Sequence, residues 1–348
     1  MSNKVKWAVL GSGGIAQRRT IPEGIIPAAN AKLISVYDVN AKVNAEVASA
    51  FGVKAAGSID ELLMSDIDAV YIATPANLHC EQVIKCAKAK KYILCEKPLG
   101  MTIKETQKMI TACKKAKVQL GTAFMMRFHS QHQAALQMIE AGKIGKPVYA
   151  RAQLSCWYPL IKGAWRQNPK QGGGGSLMDM GGHCIDLLEM FFGLVKAVSC
   201  FIRSGVHRYK SEDSAVAMLQ FKNGALATVD TFFCIPDNSS KNVLELYGSK
   251  GSIVAKGTIG QGQAGEMAAF LDGDTKGYEA QQARQQTDGI QIIPPPVNMY
   301  KAEIEEFSQA IIDKRLAANN AQIGIQSQKV LAACYESAKK GKRIKIIA

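Results

Sequence analysis

Short apolar runs alternate with amphipathic helical patterns over the first third of the chain. The apolar runs end at Gly, Pro or Asp residues, which is typical of strands buried in a parallel sheet. The predicted strands are Val5–Leu10, Lys32–Tyr37, Ala69–Ala73, Tyr92–Cys95 and Val118–Phe124. The predicted helices are 41–51, 59–64, 78–89 and 104–115. Because strand and helix alternate at short spacing, we predict an α/β domain with a doubly wound parallel sheet over residues 1–125.

The pattern changes after residue 125. Strand-like runs now follow one another without helices between them, and Asn223-Gly224 separates two of them as a hairpin turn would. The predicted strands are 148–154, 196–202, 215–221, 226–231 and 242–247, and the predicted helices are 131–141, 300–313 and 326–340. We therefore predict a second α/β domain, residues 126–348, with a mostly antiparallel open sheet. Residues 257–291 are rich in Gly, Gln and Ala and predict a long loop or a weakly ordered arm. The two closing helices are expected to pack back on the first domain.

Composition narrows the class of protein. Of 348 residues, 47% are hydrophobic, yet no apolar run reaches about 18 residues, so we expect no membrane span. Nine cysteines without paired spacing predict reduced thiols, a cytoplasmic setting and no metal site. The net charge of +14 lies mainly on lysine-rich helix faces, so we expect no nucleic-acid partner. Such a surface would attract anionic ligands over a long range.

A glycine turn follows the first strand. Gly11, Gly13 and Ala16 fit the pattern G-x-G-x-x-A, in which the glycines permit a tight turn and let the backbone approach a pyrophosphate. The free N–H groups of the following helix would bind that anion. Gly14 and Ile15 lie in the same turn and complete this part of the predicted cofactor-binding set.

An acidic residue ends the second strand. Asp38 can accept hydrogen bonds from both hydroxyls of an adenosine ribose and would repel a 2′-phosphate, so it favours NAD over NADP. The alternative is that Asp38 caps the next helix, a role for which Asn40 competes.

Lys97 follows the apolar run Tyr92–Cys95, and Pro98 after it cannot continue a central strand. A lysine at the carboxyl end of a buried strand lies where open α/β sheets bind ligands. Lys97 is therefore a candidate for chemistry, and the alternative is an ordinary surface lysine.

An apolar helix predicted from Leu177 carries three ionisable residues. Asp179, His183 and Asp186 are spaced at i, i+4 and i+7, which places them on one helix face. A carboxylate can orient an imidazole and raise its basicity, so we predict an acid–base pair. The alternative is a structural hydrogen bond. The preceding run Gly172–Gly175 predicts close approach of the backbone to a ligand or to another chain.

The ordered set of motifs resembles the Gfo/Idh/MocA family of NAD(P)-dependent oxidoreductases over nearly the whole chain. The motifs are GSGGIA at 11–16, ATPANLHCE at 73–81, EKP at 96–98, DMGGHCID at 179–186 and LYGSKGSI at 246–253. The resemblance implies a Rossmann domain followed by an α/β domain whose open sheet mediates a homo-oligomer, a dimer or a tetramer. It implies that Lys97, Asp179 and His183 are catalytic. It also implies a lining for the nicotinamide side of the cofactor site, formed by Thr74, Pro75, His79, Glu96 and Lys97.

The implied reaction moves a hydride between nicotinamide and a secondary alcohol or ketone. We assign the transfer of the hydroxyl proton to His183. Asp179 would either orient the His183 ring or bind a neighbouring hydroxyl of the substrate. Lys97 would stabilise developing alkoxide charge and lower the pKa of His183. The three groups would titrate as a coupled set, so the residue that moves the proton stays open.

The resemblance predicts a sugar, glycoside or cyclitol substrate, for example at C3 of a hexopyranoside. The predicted substrate-binding residues are Lys97, Arg127, Trp157, Trp165, Arg166, Asp179 and His183. An NADPH-dependent keto-sugar or anhydrosugar reductase is the alternative within the class, because Trp-Arg before a glycine run resembles those reductases. The alternatives from other classes are an NAD-using glycosidase and a non-catalytic NAD-linked binding protein.

Overall fold

A computed structural model describes residues 4–272 and 289–347. Two sheets organise this part of the chain, one of six strands and one of nine. Nine α-helices and several shorter helical segments surround the sheets in the described residues.

The six-stranded sheet contains the first part of the chain. Its strands are β1 (Val5–Leu10), β2 (Ala31–Tyr37), β3 (Lys54–Ala55), β4 (Ala69–Ile72), β5 (Tyr92–Glu96) and β6 (Leu120–Ala123). They are all parallel and lie in the order β3-β2-β1-β4-β5-β6. This is the strand order of a dinucleotide-binding sheet, with the switch in direction of winding beside β1. The predicted doubly wound parallel sheet is confirmed.

Helices cover both faces of this sheet. They are α1 (Ala41–Phe51), α2 (Ile59–Met64), α3 (Ala76–Lys88) and α4 (Ile103–Ala116), preceded by a π-helical segment at Ala16–Ile25. Side-chain oxygens of Asn40, Ser58 and Thr102 cap α1, α2 and α4 by accepting backbone N–H groups of the first turn. These caps explain why each helix begins where it does.

The second sheet is formed by strands from the rest of the chain. These are β7 (Pro147–Ser155), β8 (Val195–Arg203), β9 (Ser214–Phe221), β10 (Leu226–Phe232), β11 (Val243–Gly248), β12 (Gly251–Lys256), β13 (Glu266–Leu271), β14 (Ile290–Gln291) and β15 (Ile344–Lys345). Their order is β14-β13-β12-β11-β7-β10-β9-β8-β15. The described pairings are antiparallel except that of β7 with β10. The mostly antiparallel sheet was predicted correctly.

One face of the second sheet packs on helices and the other is open. The remaining helices are α5 (Ser130–Glu140), α6 (Pro169–Gly172), α7 (Gly182–Phe192), α8 (Met299–Ile312) and α9 (Ala321–Lys340). Buried residues of α7 and α9 share one core with the inner faces of β7 to β13. A five-residue π-helical segment, Leu177–Gly181, leads directly into α7.

The closing helices reach back to the first domain. Ile304, Phe307 and Ala310 of α8 belong to the core that lies under β1 and β2. The indole Nε1 of Trp7 donates to Ser308 Oγ at 3.0 Å, and its ring lies 5.8 Å from that of Phe307. A boundary at residue 125 therefore separates the two sheets along the sequence, but the hydrophobic core of the first domain also includes residues of α8.

The predicted loop at 257–291 is wrong in part, because β13 and the two-residue β14 form within it. Alternating buried Met267 and Ala269 place β13 against the core. Residues 273–288 of the predicted loop lie outside the described residues. Within the described ranges, no helix is long and apolar enough to cross a membrane.

Candidate active site

A cavity of about 750 Å³ lies between residues at the strand ends of the six-stranded sheet and residues of the second domain. Its first wall is formed by the glycine turn and by the carboxyl ends of β4, β5 and β6, with Ala73, Lys97 and Ala123 in the lining. Its second wall is formed by the segment 154–166 and by the start of α7. The volume is in the range of sites that bind small molecules and cofactors.

The glycine turn lies at the mouth of this cavity. Gly11 has a φ of +82°, and a Cβ there would lie 2.9 Å from the carbonyl carbon of Ala73, so no other residue fits without strain. Gly14 has a φ of +57° with open space beside it and lines the cavity together with Ile15. Gly11 and Gly13 shape the turn without lining the cavity. The open backbone at Gly14 fits the approach of a pyrophosphate.

Asp38 holds the turn from the neighbouring strand. Its Oδ2 accepts from the N–H of Gly13 at 3.1 Å, and its Oδ1 accepts from that of Asn40 at 2.9 Å. The helix cap is Asn40, whose side chain accepts from Lys42 and Val43. The alternative role of Asp38 as the cap of α1 is therefore wrong, and its carboxylate remains beside the turn.

Lys97 points from the end of β5 into the cavity. Its side chain is 9% exposed, and its Nζ donates to Oδ1 of Asp179 at 2.7 Å and to the backbone oxygen of Asp179 at 2.8 Å. The alternative of an ordinary surface lysine is therefore wrong. Lys97 connects the first wall of the cavity to the second.

Asp179 receives a second cation from its own domain. Nε of Arg166 donates to Oδ1 of Asp179 at 2.9 Å. Burial raises the pKa of Asp179, but the charges and hydrogen bonds of Arg166 and Lys97 outweigh it and hold this pKa well below its usual value. Two cations therefore share one carboxylate in this corner of the cavity.

The glycine run positions the segment that carries Asp179. A Cβ on Gly174 would lie 1.9 Å from the Tyr335 hydroxyl, and one on Gly175 would lie 1.9 Å from the backbone oxygen of Glu212. Oε1 of Glu212 accepts from the N–H groups of Gly175 and Leu177 and from the Tyr335 hydroxyl. The glycine run therefore approaches other segments of this same chain, at Tyr335 and Glu212, which neither of the two interpretations described.

His183 lies on the second wall and is 7% exposed. Burial, and then the charge of Lys97, holds the pKa of His183 well below 6.5, so the imidazole is neutral at physiological pH. The predicted direction of the Lys97 effect is found, although burial is the larger cause. Nδ1 of His183 is buried without a hydrogen-bond partner, and the hydrogen bonds formed by the Asp179 side chain go to Lys97 and Arg166 instead.

Several residues expected at the site lie outside the cavity. Nε of Arg127 donates to both carboxylate oxygens of Asp186, at 2.9 and 2.8 Å. Asp186, the third residue on the predicted helix face, is therefore paired with Arg127. Trp157 is 43% exposed, and its ring packs edge-to-face against that of His207. Neither Arg127 nor Trp157 contributes to the described lining, whereas Trp165 and Arg166 do.

His79 and Pro75 lie outside the cavity lining, and His79 supports the first wall. His79 is buried, with Nδ1 at 3.0 Å from the oxygen of Pro98 and Nε2 at 2.9 Å from that of Thr74. Burial lowers the pKa of His79 and so favours the neutral ring. In a neutral imidazole only one of the two ring nitrogens carries a proton and can donate. Pro75 precedes the first residue of α3. Thr74 and Glu96 line the cavity, while His79 connects the ends of β4 and β5 through the oxygens of Thr74 and Pro98.

The sequence interpretation missed Tyr300 and Glu303, which α8 brings to the lining from the far end of the chain. Their spacing at i and i+3 after the cap Asn298 was a signal that they share a helix face. Glu303 also falls among apolar residues on one face of this helix, a pattern that indicates a buried position.

The glycine turn and the cavity lining fit an organic cofactor. Among residues 4–272 and 289–347, no group of three or more His, Cys, Asp or Glu side chains could hold a metal ion. The open turn at Gly14, the carboxylate of Asp38 and the buried hydroxyl of Tyr300, which has no partner, fit a dinucleotide that extends along the strand ends. A dinucleotide turn that faces Lys97 and a neutral histidine defines the class of NAD(P)-dependent oxidoreductases.

Comparison with known proteins agrees. The description "Oxidoreductase family, NAD-binding Rossmann fold" matches residues 5–124, and the GFO/IDH/MocA C-terminal domain matches residues 132–254. The chain belongs to the Gfo/Idh/MocA family, as its motifs predicted, and is an NAD(P)-dependent oxidoreductase.

Three relatives illustrate the range of the family. The chain is 27% identical to 1,5-anhydro-D-fructose reductase of Ensifer adhaerens, covering 98% of each chain. It is 33% identical to myo-inositol 2-dehydrogenase of Thermotoga maritima over 67% of this chain and 72% of that one. The crystal structure of aldose-aldose oxidoreductase from Caulobacter crescentus complexed with glycerol has a TM-score of 0.86 at 24% identity, covering 98% of this chain and 99% of that one, and shows the shared fold.

Proposed function

We propose that this protein transfers a hydride between NAD(H) and a secondary hydroxyl or keto group of a sugar, glycoside or cyclitol. The observation that carries the proposal is the convergence of Lys97, Asp179 and neutral His183 on one cavity beside the glycine turn. The bound nicotinamide would supply the hydride chemistry, and the residues of this chain would position the carbinol carbon and move the proton.

Neutral His183 is the group suited to accept the proton of a substrate hydroxyl. Its low pKa keeps the ring unprotonated at physiological pH, so it is available as a base before the substrate binds. Lys97, held in place by Asp179, would donate to the reacting oxygen and stabilise the negative charge that develops there.

The role proposed for Asp179 changes with its contacts. Its carboxylate accepts from Lys97 and Arg166, so we assign it to positioning those two cations rather than to orienting His183. The guanidinium of Arg166 also lies over the Trp165 ring, 4.2 Å from its centre. We propose that the terminal N–H groups of Arg166 bind substrate hydroxyls.

The substrate class is inferred from an aromatic wall that carries hydrogen-bond donors. Tyr158, Trp165 and Arg166 lie together on the second wall, and an aromatic surface beside hydrogen-bond donors suits a sugar ring. The named activities of the Ensifer adhaerens and Thermotoga maritima relatives concern an anhydrosugar and a cyclitol, which supports the same class. Oxidation at a ring carbon such as C3 of a hexopyranoside remains our specific proposal.

An anhydrosugar or keto-sugar reductase is the second candidate, because similarity to the Ensifer adhaerens reductase extends over 98% of the chain. Asp38 argues for NAD rather than NADP in either case, since its carboxylate lies beside the turn where a 2′-phosphate would meet it. We therefore propose NAD as the preferred cofactor.

A homo-oligomer formed through the open sheet face is also proposed. Phe201, Val216, Met218 and Leu226 are exposed on adjacent strands, and their register places them on one face. An apolar face of this kind is typical of an interface. All nine cysteines are free thiols, which supports the proposed cytoplasmic setting.

The test combines purified protein with NAD or NADP and a panel of hexoses, glycosides, anhydrosugars and inositols. Absorbance of the reduced cofactor is followed, and the reverse reaction is run with the matching keto compounds. The proposal predicts turnover with at least one sugar or cyclitol and a higher kcat/KM with NAD. Absence of turnover in both directions with both cofactors would refute it. Release of free sugar from an aryl glycoside without net reduction of NAD would favour the glycosidase alternative.

A further inference from the structure

Tyr300 presents an unusual polar atom to the cavity. The residue is 3% exposed, and its hydroxyl oxygen is buried without a hydrogen-bond partner. A buried hydroxyl without a partner costs free energy, so such a group suggests a bound molecule that completes it. The position of Tyr300 in the cavity lining places the missing partner inside the cavity.

Glu303 lies one helical turn further along α8 and lines the same part of the cavity. It is 1% exposed, and its Oε1 accepts from Nδ2 of Asn319 at 3.2 Å. Among the described residues no hydrogen-bond donor is assigned to its second oxygen. Burial, and then the charge of Glu96, raises the pKa of Glu303 well above its usual value, which favours a neutral carboxyl group. A neutral carboxyl carries both a donor and an acceptor.

The first wall brings the reacting end of a cofactor to these two residues. Glu96 and Lys97 end β5, and Glu96 is close enough to Tyr300 and Glu303 to affect the pKa of each. A dinucleotide whose pyrophosphate lies at the glycine turn has its nicotinamide further along the strand ends, toward β5. The nicotinamide carboxamide has an N–H donor and a C=O acceptor, which match the hydroxyl and the carboxyl.

We propose that Tyr300 and Glu303 bind the carboxamide group of the nicotinamide ring and so fix the orientation of that ring toward Lys97 and His183. This inference rests on the proposed function, because it requires a nicotinamide cofactor. It adds a site for a primary amide to the cavity and assigns α8, from the far end of the chain, to cofactor recognition.

Equilibrium binding tests the proposal without turnover. NADH and ADP-ribose are titrated by calorimetry into wild-type protein and into Tyr300→Phe, Glu303→Met and Glu303→Gln. ADP-ribose lacks the nicotinamide ring and so cannot use the amide site. We expect Glu303→Met and Tyr300→Phe each to weaken NADH binding roughly tenfold, with ADP-ribose binding within about twofold of wild type. Glu303→Gln keeps a donor and an acceptor, so it should restore most of the NADH affinity.

The matched control is Glu305→Met on the same helix. Oε1 of Glu305 accepts from the N–H of Ala29 and lies 3.7 Å from Nζ of Lys301, outside the cavity, so this variant should bind both ligands as wild type does. Tyr300→Phe also guards against misfolding, because it removes a hydroxyl that has no protein partner and should leave the thermal midpoint of the free protein unchanged.

The outcomes separate the inference from the proposed function. If Glu303→Met and Tyr300→Phe bind NADH with wild-type affinity, or if they weaken NADH and ADP-ribose equally, the carboxamide assignment is overturned while the oxidoreductase proposal stands. If wild-type protein binds neither NADH nor ADP-ribose, and neither NADPH nor 2′-phospho-ADP-ribose, both are overturned.

Discussion

The two walls of the cavity are built in different ways. On the first wall, functional groups follow directly from strand ends: Gly11 follows β1 and Lys97 follows β5, so chain connectivity fixes their positions. On the second wall, the segment that carries Asp179 is held at Leu177 by Glu212, which also accepts from Tyr335, and both residues are far away in the chain. The comparison teaches that the first wall depends on local geometry and the second on long-range packing, with the Lys97–Asp179 ion pair joining them.

The largest effect is expected from removing the lysine that joins the walls. Lys97→Met should lower kcat by about 10²–10³-fold, since it removes a preorganised donor to the reacting oxygen. NADH affinity should change little, because the glycine turn and Asp38 are untouched. Steady-state kinetics and calorimetry measure the two quantities. Turnover within threefold of wild type would remove Lys97 from the chemistry.

The second wall should be sensitive to a single methyl group. Gly175→Ala places a Cβ against the Glu212 backbone, where the contact would be 1.9 Å, so we expect a loss of about 1–3 kcal/mol in the free energy of unfolding. Gly182→Ala is the control, because its nearest contact would be an ordinary 3.7 Å to Leu331. Urea unfolding checks both variants. Equal stabilities would mean that the glycine run is not required for packing.

The neutral state of His183 predicts a pH dependence of stability. Its folded pKa lies below the ordinary 6.5, so the unfolded chain binds more protons below that pH. Stability is therefore retained above pH 6.5 and lost as the pH falls, by up to about 2 kcal/mol at pH 5 for one such group. His183→Gln should narrow the difference in unfolding free energy between pH 7 and pH 5. If the difference in unfolding free energy between pH 7 and pH 5 is unchanged in His183→Gln, then His183 is protonated in the folded protein at pH 5.

The smallest effect concerns selectivity on the first wall. Asp38→Asn removes a charge beside the glycine turn, so the ratio of kcat/KM for NADP to that for NAD should rise roughly tenfold. The fold should be unaffected, since Asn40 still caps α1. Circular dichroism provides the structural control. A ratio that does not move would place the 2′-position of the ribose away from residue 38.

The sequence predicted the first wall better than the second for a physical reason. Strand ends and glycine turns have local signatures, so Lys97 and Asp38 could be assigned from their neighbours. Asp179 and His183 were found by helical spacing, but that spacing also suggested a carboxylate–histidine pair, and Asp179 pairs instead with Lys97 and Arg166. No local pattern reports which distant cation reaches a carboxylate.

Arg127 shows the same limit. A charged residue just after the first domain looked available for substrate, yet its partner Asp186 lies 59 positions away in the chain. Tyr300 and Glu303 were missed for the converse reason, because α8 joins the cavity from beyond the second sheet. The position of α8 depends on its packing against the first domain.

The packing of α8 has a consequence for synthesis on the ribosome. The core under β1 and β2 includes Ile304 and Phe307, and the Trp7 indole bonds to Ser308. The amino-terminal domain therefore cannot complete its core as it emerges from the ribosome. Its apolar face remains uncovered until α8 has been synthesised, when almost the whole chain has been translated. During that interval the nascent chain exposes a surface that chaperones recognise, so its folding yield should depend on them more than that of a domain whose core is contiguous in sequence.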